Sequence, residues 1–99
     1  MAWYYEAGFY AAVVTNLLAG DVQARRVSND QAIAVEVRLE DGTRVLWSNA
    51  GHWWAYTSVG PDGSTDGRVA TLGWDAPPDS VATLIATFEY GARIESAAG

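Results

Sequence analysis

Three groups of residues in this 99-residue chain could do chemistry. His52, the one histidine, follows the Ala50-Gly51 turn, and its imidazole could act as a general base with Ser48 or Asp75. Nothing in the spacing brings these three together, and a histidine without a partner motif reads as a turn or surface residue. The second group is Asp62-Gly63-Ser64-Thr65-Asp66-Gly67, which matches the opening of an EF-hand calcium loop in its alternating oxygen side chains and sixth-position glycine. The twelfth position, where a bidentate glutamate makes the affinity, is Gly73, and the preceding residues read as strand. A solvated hairpin turn is therefore expected from Asp62 to Asp66. The third group, Trp47, Trp53, Trp54 and Tyr56, could stack the bases of a single nucleic-acid strand. No basic groove accompanies it, so these rings are better read as core. There is no phosphate-binding glycine loop, no G-x-S-x-G elbow and no H-E-x-x-H pair. The chain is read as non-enzymatic, with no catalytic residue, metal or cofactor.

Charge narrows the classes further. Twelve carboxylates face six basic residues, giving a formal charge of −6 and a pI near 4.4. A protein that neutralises several phosphates needs a basic face, so nucleic-acid binding is disfavoured; Arg25-Arg26 fits the charge that keeps an edge strand from pairing. The acidity serves solubility. All six basic residues are arginine, and lysine and cysteine are absent. Disulfides and thiolate metal sites are thereby excluded. The lysine-free, Ala-, Gly- and Val-rich composition suits a high-GC genome such as that of an actinobacterium or its phage.

The elements that would position any site centre on residues 32–59. Ile33, Val35, Val37 and Leu39 alternate with Ala34, Glu36 and Arg38, the period of a strand with one buried face. Glu40-Asp41-Gly42 makes a three-residue hairpin loop, with glycine supplying the left-handed position. That loop places Leu39 opposite Thr43, Val37 opposite Val45 and Val35 opposite Trp47, all on the core face. Glu36, Arg38, Arg44, Leu46 and Ser48 then point the other way. Residues 53–59 form the next strand, and adjacent Trp53 and Trp54 must take opposite faces. The outer one would join Leu46 with either Tyr56, if it is Trp54, or Ala55 and Thr57, if it is Trp53, and the candidate surface is placed around Trp54. Residues 22–28 suggest a weaker edge strand, 60–67 a loop and 68–74 a last strand.

Residues 3–19 predict a first helix, apolar nearly all round and ended by Gly20. The segment lacks the positive start of a signal peptide, and Glu6, Thr15 and Asn16 interrupt it as a membrane span. A helix packed on the sheet remains, its outer side (Trp3, Tyr4, Tyr10, Val14) free for a subunit contact. Pro77-Pro78 opens a second helix, with Asp79 in its first turn and Val81, Leu84, Ile85 and Phe88 on one side. Gly91 is expected to end it, and residues 95–99 to fray.

The run Trp74-Asp75-Ala76-Pro77-Pro78-Asp79-Ser80-Val81, continuing to Leu84-Ile85-Ala86-Thr87-Phe88, resembles the end of a domain of unknown function frequent in Streptomyces and its plasmids. In that family a threonine usually precedes the first proline, where this chain has Ala76. The resemblance implies a small mobile-element or phage-associated protein and brings no catalytic residues.

The expected fold is one α+β domain over residues 1–99: a two-layer antiparallel meander of four or five strands with two helices on one face, in the order α-β-β-β-β-(β)-α. The expected role is a cytoplasmic, non-membrane interaction protein, acting as a homodimer or on another protein. The candidate contact residues are Trp3, Tyr4, Tyr10, Val14, Leu46, Trp54 and Tyr56. The alternatives are a nucleic-acid-associated accessory factor of a mobile element, with Arg25 and Arg26 required, and an acidic inhibitor that mimics nucleic acid.

Overall fold

The structure is a computed structural model that describes residues 7–28 and 32–96. Helix α1 (Ala7–Ala19) leads into strands β1 (Ala24–Ser28), β2 (Ile33–Arg38), β3 (Arg44–Asn49), β4 (Trp53–Val59) and β5 (Thr65–Gly73), and helix α2 (Pro78–Thr87) follows. The strands pair antiparallel in sequence order. This is the expected α+β meander, with five strands.

The hairpin register follows from the loop. Val35 pairs with Trp47 and Val37 with Val45, while Leu39 N donates to Thr43 O at 2.8 Å. Gly42 takes φ +92°, a value that costs most residues about 1–2 kcal/mol. The inward residues Val35, Val37, Val45, Trp47 and Trp54 are buried against Phe9, Val13 and Leu17 of α1 and Val81 and Ile85 of α2. The i, i+4, i+8 stripe of α1 is thus its core face. The Trp54 ring stacks on Phe9 at 5.7 Å and 17° and meets Tyr10 edge-on.

Three expectations about boundaries change. The last strand begins at Thr65, because the loop closes within Gly60–Ser64 through Gly60 N to Ser64 O at 2.8 Å and Gly63 N to Gly60 O at 2.9 Å. Residues 66 and 67, expected in the loop, pair instead with Ser58 and Thr57. Helix α2 stops at Thr87, before Gly91, because Phe88 turns to extended backbone (ψ 141°) and inserts beside Trp47. Residues 95 and 96, expected to fray, are held. Ile94 bridges Leu39 and Ser96 bridges Val22, with Glu95 N donating to Arg38 O at 2.7 Å. Backbone groups at the end of β2 need partners, and the returning chain supplies them.

Candidate interaction surface

Both helices lie on one side of the sheet, so the other side is left without a covering element among the described residues. Its composition follows from the pairing. One cross-strand row runs Val27, Ala34, then Ser48, Ala55 and Val69; the next runs Arg25, Glu36, Leu46, Thr57 and Gly67. Near the β2–β3 turn, Arg38 stands opposite Arg44 and Arg44 opposite Val59. The middle of the face is small and apolar, and one end is basic.

Trp53 closes the opposite end. It is 48 % exposed, while Trp54 is 0 % exposed, which reverses the expected assignment of the pair. Asn49 pairs with Trp54, and Asn49 has the parity of core-facing Trp47 and Val45. A period-two strand therefore carries Trp54 inward and Trp53 outward. A bulge follows: the β5 partners advance from Val69 to Gly73 while β4 moves from Ala55 to Trp53, leaving three residues of β5 opposite Trp54. Val69, across from Ala55, is 67 % exposed.

The other expected contact residues fall as follows. Leu46 lies on the open face, as expected. Tyr56 pairs with Trp47 and therefore faces the helix side, where its ring packs on Trp47 at 4.9 Å; it is not an open-face residue. Tyr10 is 3 % exposed, and its hydroxyl accepts from Asn49 N at 3.2 Å, so it seals the junction of α1 and the sheet rather than presenting an outer surface. Val14 is half-buried against the core. Trp3 and Tyr4 lie outside the described residues. Exposed Val69 was missed because its strand had no register until the β4–β5 loop was placed.

Electrostatics on the open face centre on Glu36, which is 5 % exposed. Arg25 Nε donates to its Oε1 at 2.9 Å, and Arg44 Nη1 lies 3.6 Å from its Oε2. The hydrogen bond and charge of Glu36 hold the Arg25 guanidinium pKa above its ordinary value. Glu36 also sits in sequence next to the Arg38–Arg44 pair, two like charges opposed across strands. Three arginines against two glutamates, Glu36 and Glu95, leave this end of the face positive on a chain of net charge −6.

The groups considered for chemistry separate in space. The exposed imidazole of His52 makes no hydrogen bond among the described residues, although its carbonyl accepts from Trp74 N at 3.1 Å. Asp62 Oδ1 accepts from Ser64 N at 3.0 Å and Ser64 Oγ at 2.7 Å, forming a self-contained turn. Those bonds, the Ser64 hydroxyl first, lower the Asp62 pKa. Among the described residues no cluster of three or more His, Asp or Glu could hold a metal ion. The stacking platform is not assembled, because Trp47 and Trp54 are buried and Tyr56 faces away from Trp53. No helix among the described residues is long and apolar enough to cross a membrane.

In comparisons with known proteins, no family model, curated protein or solved structure matches the chain.

Proposed function

We propose that the chain is a non-catalytic interaction module that pairs with a second copy through its open sheet face. The observation that carries this reading is the exposure of Trp53 and Val69 on a face whose centre is Ala34, Leu46, Ala55 and Thr57. A face of this kind gains by losing water contact, and a closed two-fold pair is the simplest arrangement that covers it.

Charge supports a self-complementary orientation. The arginine end carries Arg38 and Arg44, and the opposite end carries Trp53, with Asp75 Oδ1 beside its strand partner Gly73. Two copies laid end-for-end put guanidinium groups of one on the Trp53 indole and Asp75 carboxylate of the other. Cation–π contact and ion pairing then act together.

Size sets the expected strength. Five strands about 4.8 Å apart and six residues long at about 3.3 Å each present roughly 24 by 20 Å, or about 480 Å² per copy. Two such faces bury about 1,000 Å², well under the roughly 1,600 Å² of a standard stable interface. The pair is therefore concentration-dependent, with dissociation in the micromolar range or weaker.

The test is sedimentation velocity across a concentration series of the wild-type chain and Trp53→Ser. A wild-type shift toward twice 10.6 kDa that Trp53→Ser abolishes supports the reading. A wild-type monomer at every concentration refutes it.

A further inference from the structure

We propose that the cleft between the helix side of the sheet and the chain leaving α2 binds an alkylammonium group. This site lies on the opposite side of the sheet from the open face and does not depend on self-association. Tyr56, Ser58 and Arg68 form its floor, and Phe88, Glu89 and Tyr90 its roof. The cavity measures about 450 Å³, within the range of small-ligand sites.

Three half-exposed rings make the apolar wall. Tyr56 and Phe88 lie 5.2 Å apart at 79°, Tyr56 and Tyr90 5.7 Å apart at 69°, and Phe88 and Tyr90 5.2 Å apart at 43°. Rings this steeply inclined form a corner instead of stacking shut. Tyr90 is fixed in place: its hydroxyl accepts from Trp47 Nε1 at 2.9 Å and donates to Ile85 O at 2.7 Å. A fixed aromatic corner costs a ligand little ordering.

The charge at the rim selects the ligand. Arg68 Nη2 lies 3.1 Å from Asp66 Oδ2, so those two lining charges offset each other. Asp41 and Glu89 also line the cleft, and neither forms an ion pair among the described residues. The cleft therefore has two carboxylates without a paired cation among the described residues beside its aromatic walls, Asp41 Oδ1 also accepting from Thr43 N at 2.9 Å. An anion is repelled, and a metal ion finds no cluster of three acidic or histidine ligands among the described residues. An organic cation satisfies both features, its charge drawn to the carboxylates and ring faces and its methyl groups to the apolar wall. The chain has no lysine side chain of its own to fill the site, and the ligand is taken to be either a free alkylammonium compound or the lysine side chain of another molecule.

The probe is tetramethylammonium chloride, titrated while the ring resonances of Tyr56, Phe88 and Tyr90 are followed by NMR at constant ionic strength with sodium chloride. Saturable shifts in the millimolar range are expected, with neutral tert-butanol binding about tenfold more weakly or less. The exposed pair Asp41→Asn and Glu89→Gln should weaken tetramethylammonium about threefold or more with an unchanged near-ultraviolet circular dichroism spectrum. N-acetyl trimethyl-lysine amide serves as the second probe. Tighter binding than tetramethylammonium assigns the site to a peptide side chain, and equal binding to a free ammonium compound. No saturable shift, equal affinity for tert-butanol, or full affinity in the double variant overturns the proposal.

Discussion

The indole of Trp47 and the hydroxyl of Tyr90 are joined by a 2.9 Å hydrogen bond that ties the centre of the sheet to the chain beyond α2. Tyr90 passes the connection on to Ile85 O, so one phenol satisfies a buried donor and an acceptor near the helix end. Tyr90→Phe leaves both without that partner. The expected loss is about 1–3 kcal/mol in urea unfolding, with an unchanged m value. A loss below about 0.5 kcal/mol would show that water replaces the phenol at no cost.

The same phenol gives an alkaline limit. Burial, opposed by the Trp47 bond and reinforced by Tyr56, holds the Tyr90 pKa well above the ordinary tyrosine value. In the unfolded chain the group ionises near pH 10, while in the folded chain it keeps its proton. The folded state thus binds more protons above that pH, and stability must fall as pH rises. The stabilisation is fully present below about pH 10 and is lost progressively above it. Unfolding free energy between about pH 9 and 11.5 should drop more steeply in the wild type than in Tyr90→Phe. Parallel slopes would contradict the assignment.

Trp47 and Trp54 offer a matched pair. Both are fully buried, but Trp54 Nε1 has no hydrogen-bond partner among the described residues whereas Trp47 Nε1 has Tyr90. Truncating either to phenylalanine removes similar volume. Trp54→Phe also removes an unsatisfied donor, and Trp47→Phe removes a satisfied one. Trp47→Phe is expected to cost about 1–3 kcal/mol more than Trp54→Phe, read as the difference in urea midpoints at equal m. The reverse order would mean that the shape of the two sites, not their hydrogen bonding, governs.

Glu36 holds the basic end of the open face together. Glu36→Gln removes the charge between Arg25 and Arg44 and leaves Glu95 as the remaining carboxylate beside Arg25 and Arg38. A loss of about 1–3 kcal/mol is expected, larger at low salt, where the arginine repulsion is unscreened. Arg25→Ala should also destabilise, because it takes the 2.9 Å donor from the buried Glu36 carboxylate and leaves Arg44 at 3.6 Å from the other oxygen. A salt-independent, neutral Glu36→Gln would remove this account of the buried glutamate.

Much of the fold was legible because local chemistry fixed it. Glu40-Asp41-Gly42 set the first hairpin register, and that register put Leu46 on the open face and Trp47 in the core. Residues 7–19 were legible as a helix packed on the sheet, its buried side being Phe9, Tyr10, Val13 and Leu17. The contact residues were less legible. Two adjacent tryptophans carry no alternation of their own, so only the β3–β4 pairing decides which one turns inward. Tyr56 was coupled to that choice and moved with it. Tyr10 looked like an outer residue because α1 is apolar on several sides; its burial depends on Trp54 and Asn49, which lie far along the chain. The clasp at residues 94–96 depends on long-range backbone pairing, for which the short run Ile94-Glu95-Ser96 gives no local signal.

Amide spectra recorded at two widely separated protein concentrations test most directly whether the open face is the contact surface. Concentration-dependent shifts confined to Leu46, Trp53, Ala55, Thr57, Val69 and the Arg38–Arg44 end are predicted, and Trp53→Ser should remove them. Shifts centred on α1 and α2 with the sheet unmoved, or no shifts at all, would contradict it.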